Sequence, residues 1–167
     1  VHTCAINLSG MSLGDESLLG FIRQQIETFH IPPGVLCFEI TETSAIANLD
    51  NAIRLIGELQ AIGCRFSLDD FGAGMSSFNY LKRLPVNYLK IDGGFVRDML
   101  DNPANFAMVE MINQIGHMMG KRTVAEFVEN EEIIASLRKM GVDYGQGYCI
   151  AKPIPWDFAY FTAPTTV

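Results

Sequence analysis

Two aspartates stand side by side at the end of an apolar run, Asp69-Asp70, and Phe71-Gly72-Ala73-Gly74 follows at once. Neighbouring residues on a strand point to opposite sides. At a strand end, glycines let the chain bend sharply, and both carboxylates can then face one rim. Glu39, Glu126 and the amide of Asn7 close or flank similar apolar runs. Together they make a hard, oxygen-only donor set without His or Cys, which suits Mg²⁺ or Mn²⁺ and not Zn²⁺. Carboxylates gathered in one rim repel each other and any phosphodiester, by about 4 kcal/mol for two charges 4 Å apart at an effective dielectric of 20. Two divalent cations reverse that sign and can activate a water while holding the attacking and leaving oxygens. Lys90 is the one cation of the set, placed to fix a water or to stabilise charge on a phosphorane-like transition state. Gln146 could orient a water or a phosphate oxygen.

Each signal taken singly has a plainer reading. An Asp-Asp pair at a strand end also serves as a turn or helix cap. Lys90 also reads as a rim lysine, Glu126 and Glu129 as acids of a helix start, and residues 72–74 as a plain turn. The joint spacing carries the argument. Asn7, Glu39, Asp69, Lys90, Glu126 and Gln146 follow one another at a mean of roughly 28 residues, about one βα unit each. His2, His30 and His117 share no such spacing and read as surface or packing residues.

The elements that must carry these residues alternate. Strands are predicted over 5–8, 36–41, 65–70, 88–92, 123–126 and 144–149. Helical periodicity of apolar residues covers 18–29, 53–59, 108–119 and 133–140, and Gly63, Gly120 and Gly141 supply stop signals. Such alternation implies a parallel sheet with helices outside it. Strands buried on both faces tolerate carboxylates poorly, so the polar positions belong at one rim. In a (β/α) barrel that is the C-terminal rim. Eight units of this length exceed 200 residues, so the prediction is an incomplete TIM-like barrel lacking at least its first βα unit. A short final strand and helix are expected near 150–161, with Trp156, Phe158, Tyr160 and Phe161 facing the core.

The chain has 167 residues, 49% hydrophobic and 19% charged, the composition of a globular domain and not of a disordered one. No run of 18 apolar residues and no leader-like segment is present. The opening without Met suggests a piece of a longer protein. Cys4, Cys37, Cys64 and Cys149 form no CxxC pair and read as buried free thiols of a reducing cytosol. A net charge of −7 argues against binding to a nucleic-acid polymer.

Six ordered motifs then become recognisable. Ile6-Asn7-Leu8-Ser9, Phe38-Glu39-Ile40-Thr41-Glu42, Leu68-Asp69-Asp70-Phe71-Gly72-Ala73-Gly74, Tyr88-Leu89-Lys90-Ile91-Asp92, Ala125-Glu126-Phe127-Val128-Glu129 and Gln146-Gly147-Tyr148 resemble the EAL-domain family over nearly the whole chain. So does Tyr80-Leu81-Lys82-Arg83-Leu84-Pro85-Val86. The resemblance implies one domain over 1–167 that hydrolyses cyclic di-GMP to linear pGpG with two Mg²⁺ or Mn²⁺ ions. It implies Asn7, Glu39 and Asp69 on the first ion, and Asp69, Asp70 and Glu126 around the second. Lys90, Glu126 and Asp70 are its catalytic candidates, and Gln146 and Asn7 its substrate-side candidates. Glu42 resembles the glutamate that anchors the loop after Asp69-Asp70, where Phe71 and Gly72 begin, and Glu129 a partner lying behind the ligands. The resemblance also implies a cytoplasmic domain, a homodimer formed near that loop, and an upstream GGDEF or sensory domain, with membrane anchoring of the parent left open.

Three departures matter. The Glu-Ala-Leu strand that names the family is absent from this sequence, and its glutamate would complete the first metal site, so these residues alone are expected to be inactive or nearly so. Phe127 stands where the family usually has Gly, beside Glu126. Ala73 and Met75 replace the usual Thr and Tyr of the loop. Two other functions stay in view: a catalytically silent EAL module that receives cyclic di-GMP or a protein partner, and an unrelated metal-dependent barrel of enolase-like type.

Overall fold

The computed structural model describes residues 3–74 and 79–154. Six strands alternate with helices: β1 (Cys4–Asn7), α1 (Glu16–Phe29), β2 (Leu36–Thr41), α2 (Glu42–Ala47), α3 (Leu49–Gln60), β3 (Arg65–Phe71), β4 (Tyr88–Ile91), α4 (Gly93–Arg97), α5 (Pro103–Met118), β5 (Arg122–Ala125), α6 (Glu131–Met140) and β6 (Tyr144–Gly145). Every neighbouring pair is parallel, and the sheet order follows the chain, β1 to β6. Among the described residues β1 and β6 pair on one side only. The sheet is therefore an open half-barrel, the predicted incomplete TIM-like architecture.

The helices begin where short polar side chains satisfy free N–H groups. Asp15 accepts from Ser17 N at 2.8 Å, and Asn130 accepts from Ile133 N at 2.8 Å. Asn102 caps α5 just before Pro103, whose missing N–H costs nothing at that position. His30 ends α1 with a left-handed φ of 52° and its Nδ1 lies 2.7 Å from Glu27 O, on the exposed surface. Their apolar stripes meet the outer face of the sheet. Leu55, Ile56, Leu59, Val109 and Ile112 cover a layer of Phe38, Ile40, Phe66, Leu68, Leu89 and Ile91, all buried.

The structure departs from expectation at four places. The short helices α2 and α4 have too few residues for a visible period. The predicted strand over 144–149 stops after two residues. Gln146 N still donates to Ala125 O, but Gly147 then lies so close to the Val128 backbone that a Cβ there would collide, and the chain turns out of the sheet. Residues 151–154 form no strand. The predicted last helix with Trp156, Phe158, Tyr160 and Phe161 lies outside the described residues, as does Met75. Cys37 and Cys64 are buried, while Cys4 and Cys149 are only half-buried; all four are free thiols. No helix of the described residues is long and apolar enough to cross a membrane.

Candidate metal centre

Side-chain alternation makes one face of the half-barrel concave and polar. Arg65, Ser67 and Asp69 share that face of β3, and Glu39 and Lys90 join them from β2 and β4. The space below them is a cavity of about 450 Å³ bordered by Glu39, Ser67, Lys90 and Gln146. Lys90 stands at the centre of the rim. Its ammonium lies 2.6 Å from Glu126 Oε1, 2.7 Å from Asp69 Oδ1 and 3.0 Å from Glu39 Oε2. All four side chains are largely buried, at 5% exposure for Lys90 and 12–15% for the acids. Burial opposes the lysine's charge, yet the contacts with Asp69 and Glu126, and the charges of Glu126 and Glu39, outweigh it and push its pKa up. Glu126 moves the other way from an ordinary paired carboxylate. Burial raises it to about 6, with Asp69 adding repulsion, and Lys90 only partly offsets this.

The paired aspartates reach the rim by a device the sequence did not reveal. Leu68 is in register with Leu89, but Phe71 is in register with Ile91, so two residues of β3 oppose the single Lys90. Asp70 is the extra residue of this bulge and takes a left-handed φ of 54°. The bend therefore begins at Asp70 itself, and Gly72, at φ 99°, continues it. Burial, with Asp69 and Asp92 nearby, raises the Asp70 pKa. Asp69, Asp70 and Glu126 offer carboxylate oxygens that all lie within 4.8 Å of one another, a group able to hold a cation. Asp69 Oδ1 and Ser67 Oγ are buried polar atoms without a hydrogen bond of good geometry, although the former touches the ammonium. Three carboxylates this close, with a single ammonium to balance them and Glu39, fit a site for a hard cation.

The other predicted residues fall in four places. Glu39 meets the cluster through Lys90 and lies outside the group of three. Asn7 is in register with Glu39 but exposed on the edge strand. Gln146 is exposed beside both the concave cavity and a second one. Glu42 is buried at 3% exposure behind the bulge and accepts from Gly72 N at 3.0 Å and Tyr80 Oη at 2.5 Å. Phe71 is fully buried, and Gly72 packs against Phe95 and Ile112, where a Cβ has no room. Glu129 stays apart from the carboxylate cluster and faces Arg97 at 3.9 Å.

Three residues of this region were missed in the sequence. Ser67 was findable from the alternation Arg65, Ser67, Asp69. Gly93 and Arg97 were not, because their role depends on the position of Phe127.

This arrangement has well-defined relatives. The sequence model of the EAL domain matches residues 1–153. The chain belongs to the EAL domain family. It is 47% identical over 92% of its length to the cyclic di-GMP phosphodiesterase PdeB of Shewanella oneidensis and covers 18% of that protein. It is 38% identical, over 92% of its length and 21% of the relative, to the cyclic di-GMP phosphodiesterase PdeF of Escherichia coli K12. Among solved structures, the EAL domain of FimX from Pseudomonas aeruginosa bound to c-di-GMP superposes with a TM-score of 0.86, at 32% identity, over 90% of this chain and 62% of that one. The PaMucR phosphodiesterase in complex with c-di-GMP gives a TM-score of 0.87 at 34% identity, over 92% and 62%. The chain thus spans about a fifth of the length of these curated relatives. Against the EAL neighbours, the open sheet is part of a TIM-like barrel, and the enolase-like alternative falls away.

Proposed function

We propose that this EAL domain is a metal-dependent phosphodiesterase that opens cyclic di-GMP to linear pGpG. The observation that supports this best is the convergence of Glu39, Asp69, Asp70 and Glu126 around Lys90 at the C-terminal ends of parallel strands. In this reading Asn7, Glu39 and Asp69 hold one Mg²⁺ or Mn²⁺, and Asp69, Asp70 and Glu126 hold a second. Bound there, the two ions supply the positive charge that lets a phosphodiester enter an acidic rim and a water lose its proton near neutral pH. Lys90, kept charged by its carboxylate partners, donates hydrogen bonds to the water or to a phosphate oxygen. Glu126, buried and crowded by Asp69 without a cation, would be held as the carboxylate by the ion it binds and could accept a hydrogen bond from the attacking water. Asn7 and Gln146 contact the substrate from the rim. Glu42 fixes the start of the loop through Gly72 and Phe71, and Glu129 acts from behind the ligands. The cluster is hydrogen-bonded and charge-paired to itself, which favours a working site over a decayed one.

The same reading takes the whole chain, 1–167, as one domain of a longer cytoplasmic signalling protein with a GGDEF or sensory domain upstream, dimeric near the loop after Asp69-Asp70. Because β1 pairs on one side only among the described residues and a glutamate from a preceding strand would complete the first site, the 167 residues alone are expected to be inactive or nearly so. One observation favours a second reading, a silent cyclic di-GMP receptor. The bulky Phe127 adjoins Glu126 and is 48% exposed. The deciding experiment follows pGpG by chromatography with Mg²⁺ or Mn²⁺, using these residues alone and within the longer protein. Hydrolysis lost in Lys90→Met and Asp69→Asn supports the enzyme. Binding of cyclic di-GMP by the longer protein with no pGpG refutes the enzyme and supports the receptor.

A further inference from the structure

At the end of β5 the chain makes a second bulge. Gln146 N donates to Ala125 O, and the next bond from the β5 side comes from Val128 N to Gln146 O, at 2.8 and 3.0 Å. A regular parallel ladder would use residue 127 there. Glu126 and Phe127 thus occupy the space of one residue, and Phe127 takes a left-handed φ of 48°. Phenylalanine has no side-chain group that eases this conformation, unlike Asp or Asn. Something must hold it, and the holding groups are visible. The ring lies on Gly93, so close that any Cβ at that position would collide with it. Arg97 covers the ring with its guanidinium 4.7 Å from the centroid. Glu129 faces the same guanidinium at 3.9 Å. Gly93 and Arg97 belong to α4, which begins two residues after the end of β4, the strand of Lys90.

The geometry points to Phe127 as a positioning residue. Its ring, clamped between Gly93 and Arg97, ties the end of β5 to the start of α4 and so fixes the Glu126 carboxylate against Lys90 and Asp69. The inference rests on the proposed metal site, since what Glu126 is held for is a cation. Two facts give it direction. Glu126 and Phe127 are consecutive in the bulge, so rotation at Phe127 moves Glu126 directly. On the other side Val128 is fully buried, so that side of the bulge cannot yield. The stack is thus the part of the hinge that a substitution can release without opening the core.

The test is Mn²⁺ binding by the longer protein that carries these residues, without nucleotide, read by calorimetry and by loss of the free-ion electron-resonance signal. Glu126→Gln and Asp69→Asn are run alongside and should bind at least tenfold more weakly than the unaltered chain. Phe127→Ala keeps the left-handed strain and loses the ring, and is expected to weaken Mn²⁺ binding three- to tenfold. Phe127→Tyr should restore it. Arg97→Ala should give a smaller loss, and Arg97→Ala combined with Phe127→Ala no more than Phe127→Ala alone, because both remove one stack. Thermal unfolding of each variant separates this from a general loss of structure. Mn²⁺ affinity within twofold of the unaltered chain in Phe127→Ala, while Glu126→Gln binds weakly, overturns the inference and leaves the metal site standing. Failure of the unaltered chain to bind Mn²⁺ in a Glu126-dependent way overturns both.

Discussion

Where β3 leaves the sheet, pairing with β4 slips by one residue and Asp70 turns left-handed at φ 54°; where β5 leaves it, pairing with the chain after β6 slips likewise and Phe127 turns left-handed at φ 48°. Both bulges follow an acid of the rim, Asp69 in one and Glu126 in the other. They differ in what the extra residue is. Aspartate tolerates the left-handed region, and its carboxylate joins the cluster. Phenylalanine tolerates it poorly and must be held from outside, by Gly93 and Arg97. The supports differ as well. Behind the β3 bulge lies a buried carboxylate, Glu42, with two hydrogen bonds. Behind the β5 bulge lies a cation on an aromatic face, half exposed, with Arg97 at 51% exposure. The same backbone device therefore adds a carboxylate to the cluster in one place and sets an aromatic ring behind an acid in the other.

The largest expected effect separates ligand from brace. Asp70→Ala in the longer protein should lower kcat/KM for cyclic di-GMP by roughly 10³-fold, about 4 kcal/mol of transition-state stabilisation. Phe127→Ala should cost no more than about tenfold. Steady-state pGpG formation measures both, and equal losses would erase the distinction. Next comes support. Glu42→Ala leaves Gly72 N–H and the Tyr80 hydroxyl without their acceptor, and each buried orphan costs about 1–3 kcal/mol. Urea unfolding should show a loss of about 3 kcal/mol, against less than about 1 kcal/mol for Arg97→Ala, where only an exposed cation–π contact goes.

A smaller effect is the pH dependence of the metal-free protein. Burial raises Glu126 from 4.5 to about 6, so across that window the folded state holds more of a proton than the unfolded chain. Stability then falls as pH rises from 4.5 to about 6. In chelator, Glu126→Gln should flatten that slope in the urea midpoint, and Phe127→Ala, which frees the carboxylate from its buried position, should reduce it. Smallest is the effect of Phe127→Gly on stability. Relief of left-handed strain, about 1–2 kcal/mol, opposes loss of the ring contacts, about 1 kcal/mol. The unfolding free energy should stay within about 1 kcal/mol of its starting value; a larger loss would mean the ring supports the fold and not the site.

Much of this was legible in the residue order because period and punctuation agree. The strand over 36–41 and the stops at Gly120 and Gly141 lie where the pattern puts them, since burial on both faces and left-handed caps leave few alternatives. The rim acids were legible for the same reason: carboxylates in a buried parallel sheet have one tolerable location. The bulges were not. A slip of one residue changes no residue type, and an Asp-Asp pair reads alike with or without it. Nor was the stack on Gly93, which pairs residues more than thirty positions apart. The shortened β6 had a signal that the strand reading passed over, since Gly145 and Gly147 inside Tyr144-Gly145-Gln146-Gly147-Tyr148-Cys149 weaken a strand and mark a close backbone approach. By residue type alone Lys90 suits water or phosphate; its contacts with three carboxylates need the curl of the sheet to appear.

The most direct test of the account is a crystal of the protein grown with Mn²⁺ and measured at the manganese absorption edge. An anomalous peak among Asp69, Asp70 and Glu126, with the Lys90 ammonium still beside it, is the predicted result. Carboxylates that remain closed on Lys90 with no peak among them would contradict it.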